Sequence, residues 1–343
     1  MNPEIINKIV ESLTNDSPND AEAYPYFSDK SYKTFRIEKK NFNDIKKSSA
    51  NNSLCFIDGG NTELLQSANN SLQLIRVHYT TYKGNKRIKS KKFELFALIT
   101  AEERDGKVLY KTRLFDNILN INEADLIFDP FDPTIKTGIH QIKISRIGGI
   151  ARRFCELKLA ETMIDGLEKD DVIILDGFLQ SSATNEKKYL DALYKKSLDK
   201  GIIVSALSKT STLLTTKGHS ISNILDSISP NNSWYYYPVA EANNPSHQAD
   251  IFFIKLNEKS RYTFRFELYK KQKYDINAVL NMLARNSKDP VFLGYPYGLI
   301  EADRFARVSN QEKEYLKMIL HTKLKDKWSS LNSLNAHDIL DNI

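Results

Sequence analysis

The sequence predicts an α/β fold in which helices flank a mixed sheet, with additional helical and β-hairpin elements. Three observations carry this. Short apolar runs at 54–57 and 172–175 each stop at an acidic residue followed by glycine. Between them lies a long stretch of β-branched and aromatic residues with turn breaks, followed by a segment of helical periodicity.

Residues 1–50 read as an N-terminal helix and a connecting arm. Ile5, Ile6, Ile9, Val10 and Leu13 recur at helical spacing, but the segment carries acids and has no long apolar core, so it is not a signal peptide. Residues 14–50 are polar, with SPND, YPYFSD and NDIKKSSANNS, and leave room for one short helix. Leu54, Cys55, Phe56 and Ile57 then form a buried strand that ends in a turn at Asp58-Gly59-Gly60. The stretch from Ser71 to Phe115 reads as an antiparallel meander, broken at KGNKR and at Asp105-Gly106. Its basic run, Lys83, Lys86, Arg87, Lys89, Lys91 and Lys92, falls at a hairpin turn.

Residues 146–168 place Ile150, Phe154, Leu157, Met163 and Ile164 near helical spacing and form the first major helix. A second buried strand, 171–177, ends at Asp176-Gly177; a helix over 185–199 stops at Lys200-Gly201; and 201–209 is a third strand. Loop and edge structure follows over 229–247, then a hairpin around Asn257-Glu258-Lys259, helices near 275–286 and 298–328, and a tail over 329–343. A meander feeding α/β crossovers is the element order of the ribonuclease H (RNase H-like) architecture.

Composition narrows the class. The chain has 343 residues, 41% hydrophobic and 27% charged, which excludes a wholly disordered or fibrous chain. A net charge of +6 suits an anionic partner, and equally an ordinary basic surface. Cys55 and Cys155 form no CxxC or Cys/His grouping, so neither a disulfide scaffold nor a structural zinc site is expected, and a reducing cytoplasm fits best. No run of about 20 apolar residues exists to span a membrane.

The acids are placed suggestively. Asp58 and Asp176 sit at the ends of two strands, where an α/β sheet presents its reactive edge, and neighbouring strands would bring both to one crevice. Glu156, mid-helix, could lean over the same edge, with Glu161 on a similar helix face as the alternative. Converging carboxylates without a His/Cys cluster call for a hard cation, Mg²⁺ or Mn²⁺. Two such ions about 4 Å apart would clamp a phosphodiester. The competing explanation is that Asp-Gly is simply a common way to end a strand.

Residues 58–62 also fit the D-x-G-x-T phosphate turn of actin-like phosphotransferases. Against that, Phe178 stands where a second phosphate would approach, and no late Gly-Gly pair appears. A non-catalytic DNA-binding or adaptor module of the same fold is a further alternative. GxxxxGK[ST], GxGxxG, HExxH and GxSxG are absent. Lys209, beyond the third strand, is a candidate contact for a scissile phosphate. In 261–267, period two sets Tyr262, Phe264 and Phe266 inward and Arg261 and Arg265 outward. Residues 234–237 either stack on bases or form a packing corner. His219 and His247 have no metal-ligand spacing.

FIDGGN at 56–61, RRFCELKLA at 152–160, VIILDGFL at 172–179, VSALSKTSTLL at 204–214 and GYPYGLIEADRFARVS at 294–309 together resemble the NurA nuclease family, over about residues 54–320. The resemblance implies an RNase H-like domain over 51–328, elaborated at 229–290, in a homodimer. It implies Mn²⁺- or Mg²⁺-dependent 5′ to 3′ exonuclease and endonuclease action on single- and double-stranded DNA. It also implies a partnership with a HerA-like hexameric ATPase translocase in double-strand break repair. Carried over by motif, Asp58, Glu156 and Asp176 would be metal ligands, with Asp303 as the fourth group in a place where relatives often have His. Lys209, Tyr295 and Arg153 would contact substrate.

Overall fold

In the computed structural model, residues 3–14 and 23–332 are described. Chain order gives α1 (Pro3–Thr14), then two short strands in the arm, β1 (Tyr32–Thr34) and β2 (Phe42–Asp44). The meander is β3 (Ser53–Gln66), β4 (Asn70–Lys83), β5 (Lys86–Arg104) and β6 (Lys107–Phe115), followed by β7 (Ile127–Phe128). The crossovers are α2 (Ile147–Met163), β8 (Val172–Asp176), α3 (Glu186–Lys200) and β9 (Ile203–Ser208). Beyond them come α4 (Ile221–Ile228), β10 (Trp234–Tyr236), β11 (Ala240–Ala242), β12 (Ala249–Lys255) and β13 (Phe264–Tyr269). The chain closes on α5 (Ile276–Asn286), α6 (Tyr297–Ala306), α7 (Asn310–Leu324) and α8 (Trp328–Leu331).

One sheet runs through the described residues. Its central order, β5-β4-β3-β8-β9, joins an antiparallel meander to two parallel strands, which is the RNase H-like arrangement the sequence predicts. On the far side β13, β12, β11 and β1 extend it, while β10 bridges β12 and β2. Alternate residues of each central strand enter opposite helical layers. Cys55, Ile57, Ile173 and Leu175 pack with Phe154 and Leu157 of α2. Leu54, Phe56, Val172 and Ile174 pack with Leu280 of α5 and Leu299 of α6. Covered on both faces, β8 and β9 bury nearly every side chain and read as unbroken apolar runs.

Five expectations need correction. First, β3 does not end at Asp58-Gly59-Gly60: it stays paired with β4 through Asp58↔His78, Gly59↔Val77 and Gly60↔Arg76. What stops there is its parallel partner, whose last pairing is Ile57↔Leu175. Second, in the basic run only Gly84-Asn85 turns; Lys86 to Lys92 lie in β5 as an exposed strand. Third, the helix expected over 298–328 breaks at Arg307, because Ser309 begins α7 by accepting the Glu312 N–H at 3.2 Å.

Fourth, the arm is partly sheet: β1 pairs with β11 and β2 with β10, and among the described residues its only helical piece is a 3₁₀ turn at Lys39–Asn41. Fifth, Arg265 is buried rather than outward, since a sheet covered on both faces leaves β13 no solvent side. At residues 234–237 the packing-corner alternative describes Trp234 and Tyr236, which are buried against Phe42 at ring separations of 4.8 and 4.9 Å. The expected N-terminal helix is present over α1; the parts of the arm at 15–22 and of the tail at 333–343 lie outside the described residues. No helix among the described residues is long and apolar enough to cross a membrane.

Candidate active site

Strand parity sets the site. Leu54, Phe56 and Asp58 on β3, Val172, Ile174 and Asp176 on β8, and Ile203, Leu207 and then Lys209 after β9 all alternate onto the α6 side of the sheet. Parallel pairing of β3 with β8 puts Asp58 next to Asp176, and α6 carries Asp303 over them. One carboxylate oxygen from each of Asp58, Asp176 and Asp303 lies within 4.8 Å of the others.

The Lys209 ammonium sits among these acids, 2.7 Å from Asp176 Oδ2, 2.9 Å from Asp303 Oδ1 and 3.9 Å from Asp58 Oδ2. Burial pushes the Asp58 carboxyl up to about 8, with repulsion from Asp176 and Glu156 adding to the shift. Burial alone would lower the Lys209 pKa, but the surrounding carboxylates outweigh it and hold the pKa above its usual value. For Asp303 the order is similar: burial raises, while Lys209 and Arg307 win and keep the carboxyl below its usual range.

Glu156 arrives from the opposite face. It is buried on α2 and reaches β3 where Gly59 has no side chain; a Cβ there would fall 2.6 Å from Glu156 Oε1. Arg152 donates to Glu156 Oε1 at 2.9 Å and Arg153 to Oε2 at 3.4 Å. Burial still dominates and raises the Glu156 pKa. Glu161 instead pairs with Lys158 at 2.8 Å, so Glu156 is the helix acid beside Asp58. Arg153 is committed internally: it donates to Glu186 at 3.1 Å and to the Phe178 carbonyl at 2.6 Å, tying α2 to the turn after Asp176. Tyr295 is fully buried, and its hydroxyl has no hydrogen-bond partner among the described residues. Burial raises its pKa first, and Asp176, Asp58 and Asp303 raise it further; the ring centroid lies 6.0 Å from the Lys209 ammonium.

A cleft of about 700 Å³ opens on the α2 side, with Asp58, Asp176 and Glu156 in its lining beside Arg146, Arg152 and Phe178. Of these, Arg146, Arg152 and Phe178 have no site role that the sequence predicts. Arg152 could have been found from its i,i+4 spacing to Glu156; the other two carry no local signal. All the acidic donors are hard oxygens, and the place among them already takes a cationic group, so these residues fit a divalent cation such as Mn²⁺ or Mg²⁺.

A buried charge network braces the same turn. Glu267 Oε2 accepts the Leu179 N–H at 2.7 Å and lies 3.1 Å from His247 Nε2, while Arg265 Nη2 is 2.6 Å from Oε1. Burial would raise the Glu267 pKa, but Arg265, His247 and the Leu179 N–H pull it from 4.5 down to about 2. Because the folded value is the lower one, this carboxylate contributes stability above about pH 5, and the contribution disappears as pH falls towards 2. We therefore expect Glu267→Gln to lose roughly 2 kcal/mol of the wild-type stability difference between pH 6 and pH 3. Urea unfolding at pH 6 and pH 3 checks this, and parallel losses in both proteins would refute it.

Comparison with known proteins agrees with the fold. The NurA domain family model matches residues 52–308. Among solved structures, the NurA nuclease from Sulfolobus solfataricus superposes with a TM-score of 0.50 at 14% identity, covering 94% of each chain. The catalytic domain of human endonuclease V aligns at 10% identity over 82% of this chain and 92% of its own, with a TM-score of 0.39. No curated protein matches in sequence. Since the family model takes in every strand from β3 to β13 and the helix that carries Asp303, the chain belongs to the NurA family.

Proposed function

We propose that this protein is a metal-dependent DNA nuclease whose site is the cluster of Asp58, Asp176 and Asp303, with Glu156 completing its acidic floor. The observation that carries the reading is the convergence of three carboxylates from β3, β8 and α6 on one sheet edge, beside an open cleft. Family membership supports it.

The residues divide the work. Asp58, Asp176 and Asp303 would hold the cation, which when bound supplies Lewis-acid activation of water and of the phosphoryl group. Lys209, beside these acids, would offer its ammonium to a non-bridging phosphate oxygen. Tyr295 offers an unshared O–H to the same group from a dry wall. Arg152 and Arg153 hold Glu156 in one orientation, and Arg153 acts here by positioning rather than by touching substrate.

The finer assignment follows the family: 5′ to 3′ exonuclease and endonuclease action on DNA ends, a domain over 51–328, a homodimer, and work with a HerA-like hexameric ATPase. The buried free thiols Cys55 and Cys155 suit a reducing compartment. End-labelled DNA incubated with Mn²⁺, Mg²⁺ and Co²⁺, with and without such an ATPase, tests the proposal. DNA binding without cleavage in any of the metals would point instead to an adaptor module.

Lys209→Met gives a separate expectation. It removes the positive charge from between three acids, so cleavage falls by about 10²-fold. Because the side chain is 35% exposed, the usual cost of an orphaned buried pair is reduced to about 1 to 3 kcal/mol. Thermal unfolding reads this, and saturating Mn²⁺ restores most of the loss. An unchanged unfolding midpoint would mean that the ammonium is not neutralising the cluster.

A further inference from the structure

Phe178 is an apolar residue in a charged place. The residue is 37% exposed and lines the cleft together with Asp58 and Asp176. Gly177, at φ +109°, makes the sharp turn after Asp176 that delivers it there. Phe178 stands two residues from Asp176, at most about 7 Å along the backbone, which is the scale of one nucleotide.

The ring is also held still. The Arg265 guanidinium lies 4.7 Å from the ring centroid, and that arginine is itself buried and tied to Glu267. On the backbone, the Phe178 carbonyl accepts from Arg153 at 2.6 Å and the next N–H, that of Leu179, donates to Glu267 at 2.7 Å. Charged groups from α2 and β13 thus clamp the residue from both sides. A partly exposed aromatic that pairs with a buried guanidinium and lines an open cleft is a surface on which another π-system can stack.

We propose that Phe178 is a stacking platform for a nucleobase adjacent to the scissile phosphate, and so makes an unpaired strand or frayed end the substrate this cleft takes. The inference rests on the nuclease reading of the acidic cluster. A base inside a duplex has both faces covered by its neighbours; only an unpaired or splayed base offers a free face to a protein ring. The cleft volume of about 700 Å³ lies in the range of sites that enclose a small ligand.

The test uses the full chain, its Phe178→Ala and Phe178→Trp variants, and single-stranded oligodeoxynucleotides in which one abasic nucleotide is walked along the sequence. Binding is read by fluorescence anisotropy with Ca²⁺, and cleavage is read separately with Mn²⁺. At one position the missing base should weaken wild-type binding about tenfold or more. Phe178→Ala should bind the intact strand as weakly as wild type binds that abasic strand, and should lose nothing further from the abasic substitution. Phe178→Trp should restore both the affinity and the abasic penalty, which a merely structural role for the ring would not require. Unchanged unfolding midpoints exclude misfolding as the cause. If Phe178→Ala feels the abasic nucleotide as strongly as wild type does, the platform is refuted. A wild-type protein inert with every metal would overturn the nuclease reading instead, while the anisotropy comparison would still decide the stacking.

Discussion

Asp58→Asn and Asp176→Asn should each slow DNA cleavage by roughly 10²- to 10³-fold, the range for removing one preorganised charge from a reacting centre, without loosening the fold. Asparagine keeps the shape and one oxygen of each side chain but removes the negative charge that would hold a cation. The stability side of the expectation is the sharper one. The Asp58 carboxyl is buried against Asp176 and Glu156 and pushed up to about 8, so ionising it works against the folded state. Taking that charge away relieves repulsion, and Asp58→Asn should unfold at the same temperature as wild type or higher. Asp176→Asn loses the 2.7 Å partner of Lys209 and should be close to neutral. Initial rates on end-labelled DNA beside thermal melts give both numbers. Either variant cutting at the parental rate would remove the cluster from the chemistry.

Gly60→Ala is expected to cost about 3 kcal/mol and to carry activity down with it. A Cβ at Gly60 would come 2.4 Å from the Ala306 carbonyl oxygen and 3.1 Å from its carbon. Both are backbone atoms and cannot rotate aside. Nor is the end of α6 free to yield: the Arg307 carbonyl accepts from Arg76 at 2.7 Å, and the Arg307 N–H donates to the Asp303 carbonyl at 3.0 Å. Any retreat of α6 takes Asp303 away from Asp58. Gly59→Ala makes the contrast, since its Cβ would press on the Glu156 and Arg152 side chains, which can shift. That variant should keep more stability and lose activity. Denaturant unfolding and cleavage rates on the pair separate the two effects, and equal stability of Gly60→Ala with wild type would contradict the packing described.

These two glycines also mark how far the residues could be read in advance. β8 and β9 were legible because helices cover both faces, which forces continuous apolar runs. Asp58-Gly59 and Asp176-Gly177 both predict a strand end, yet of these two glycines only Gly177 adopts positive φ and turns. In β3 the glycines serve close approach, with α2 on one side and α6 on the other, and that need lies in elements about 90 and 240 residues away in the sequence. Asn61, Thr62 and Glu63 continue the strand although they are polar, because only β4 flanks them there. The arm strands escaped notice for a similar reason: β1 and β2 are three residues each and find their partners some 200 residues later. Arg265 was misplaced because period two tells faces apart without telling which face is wet.

The anionic cluster is supplied with a positive charge by its own chain, through Lys209. On the proposed nuclease reading, the polypeptide would hold its fold without bound metal, and ion supply would throttle cutting rather than decide whether the chain folds.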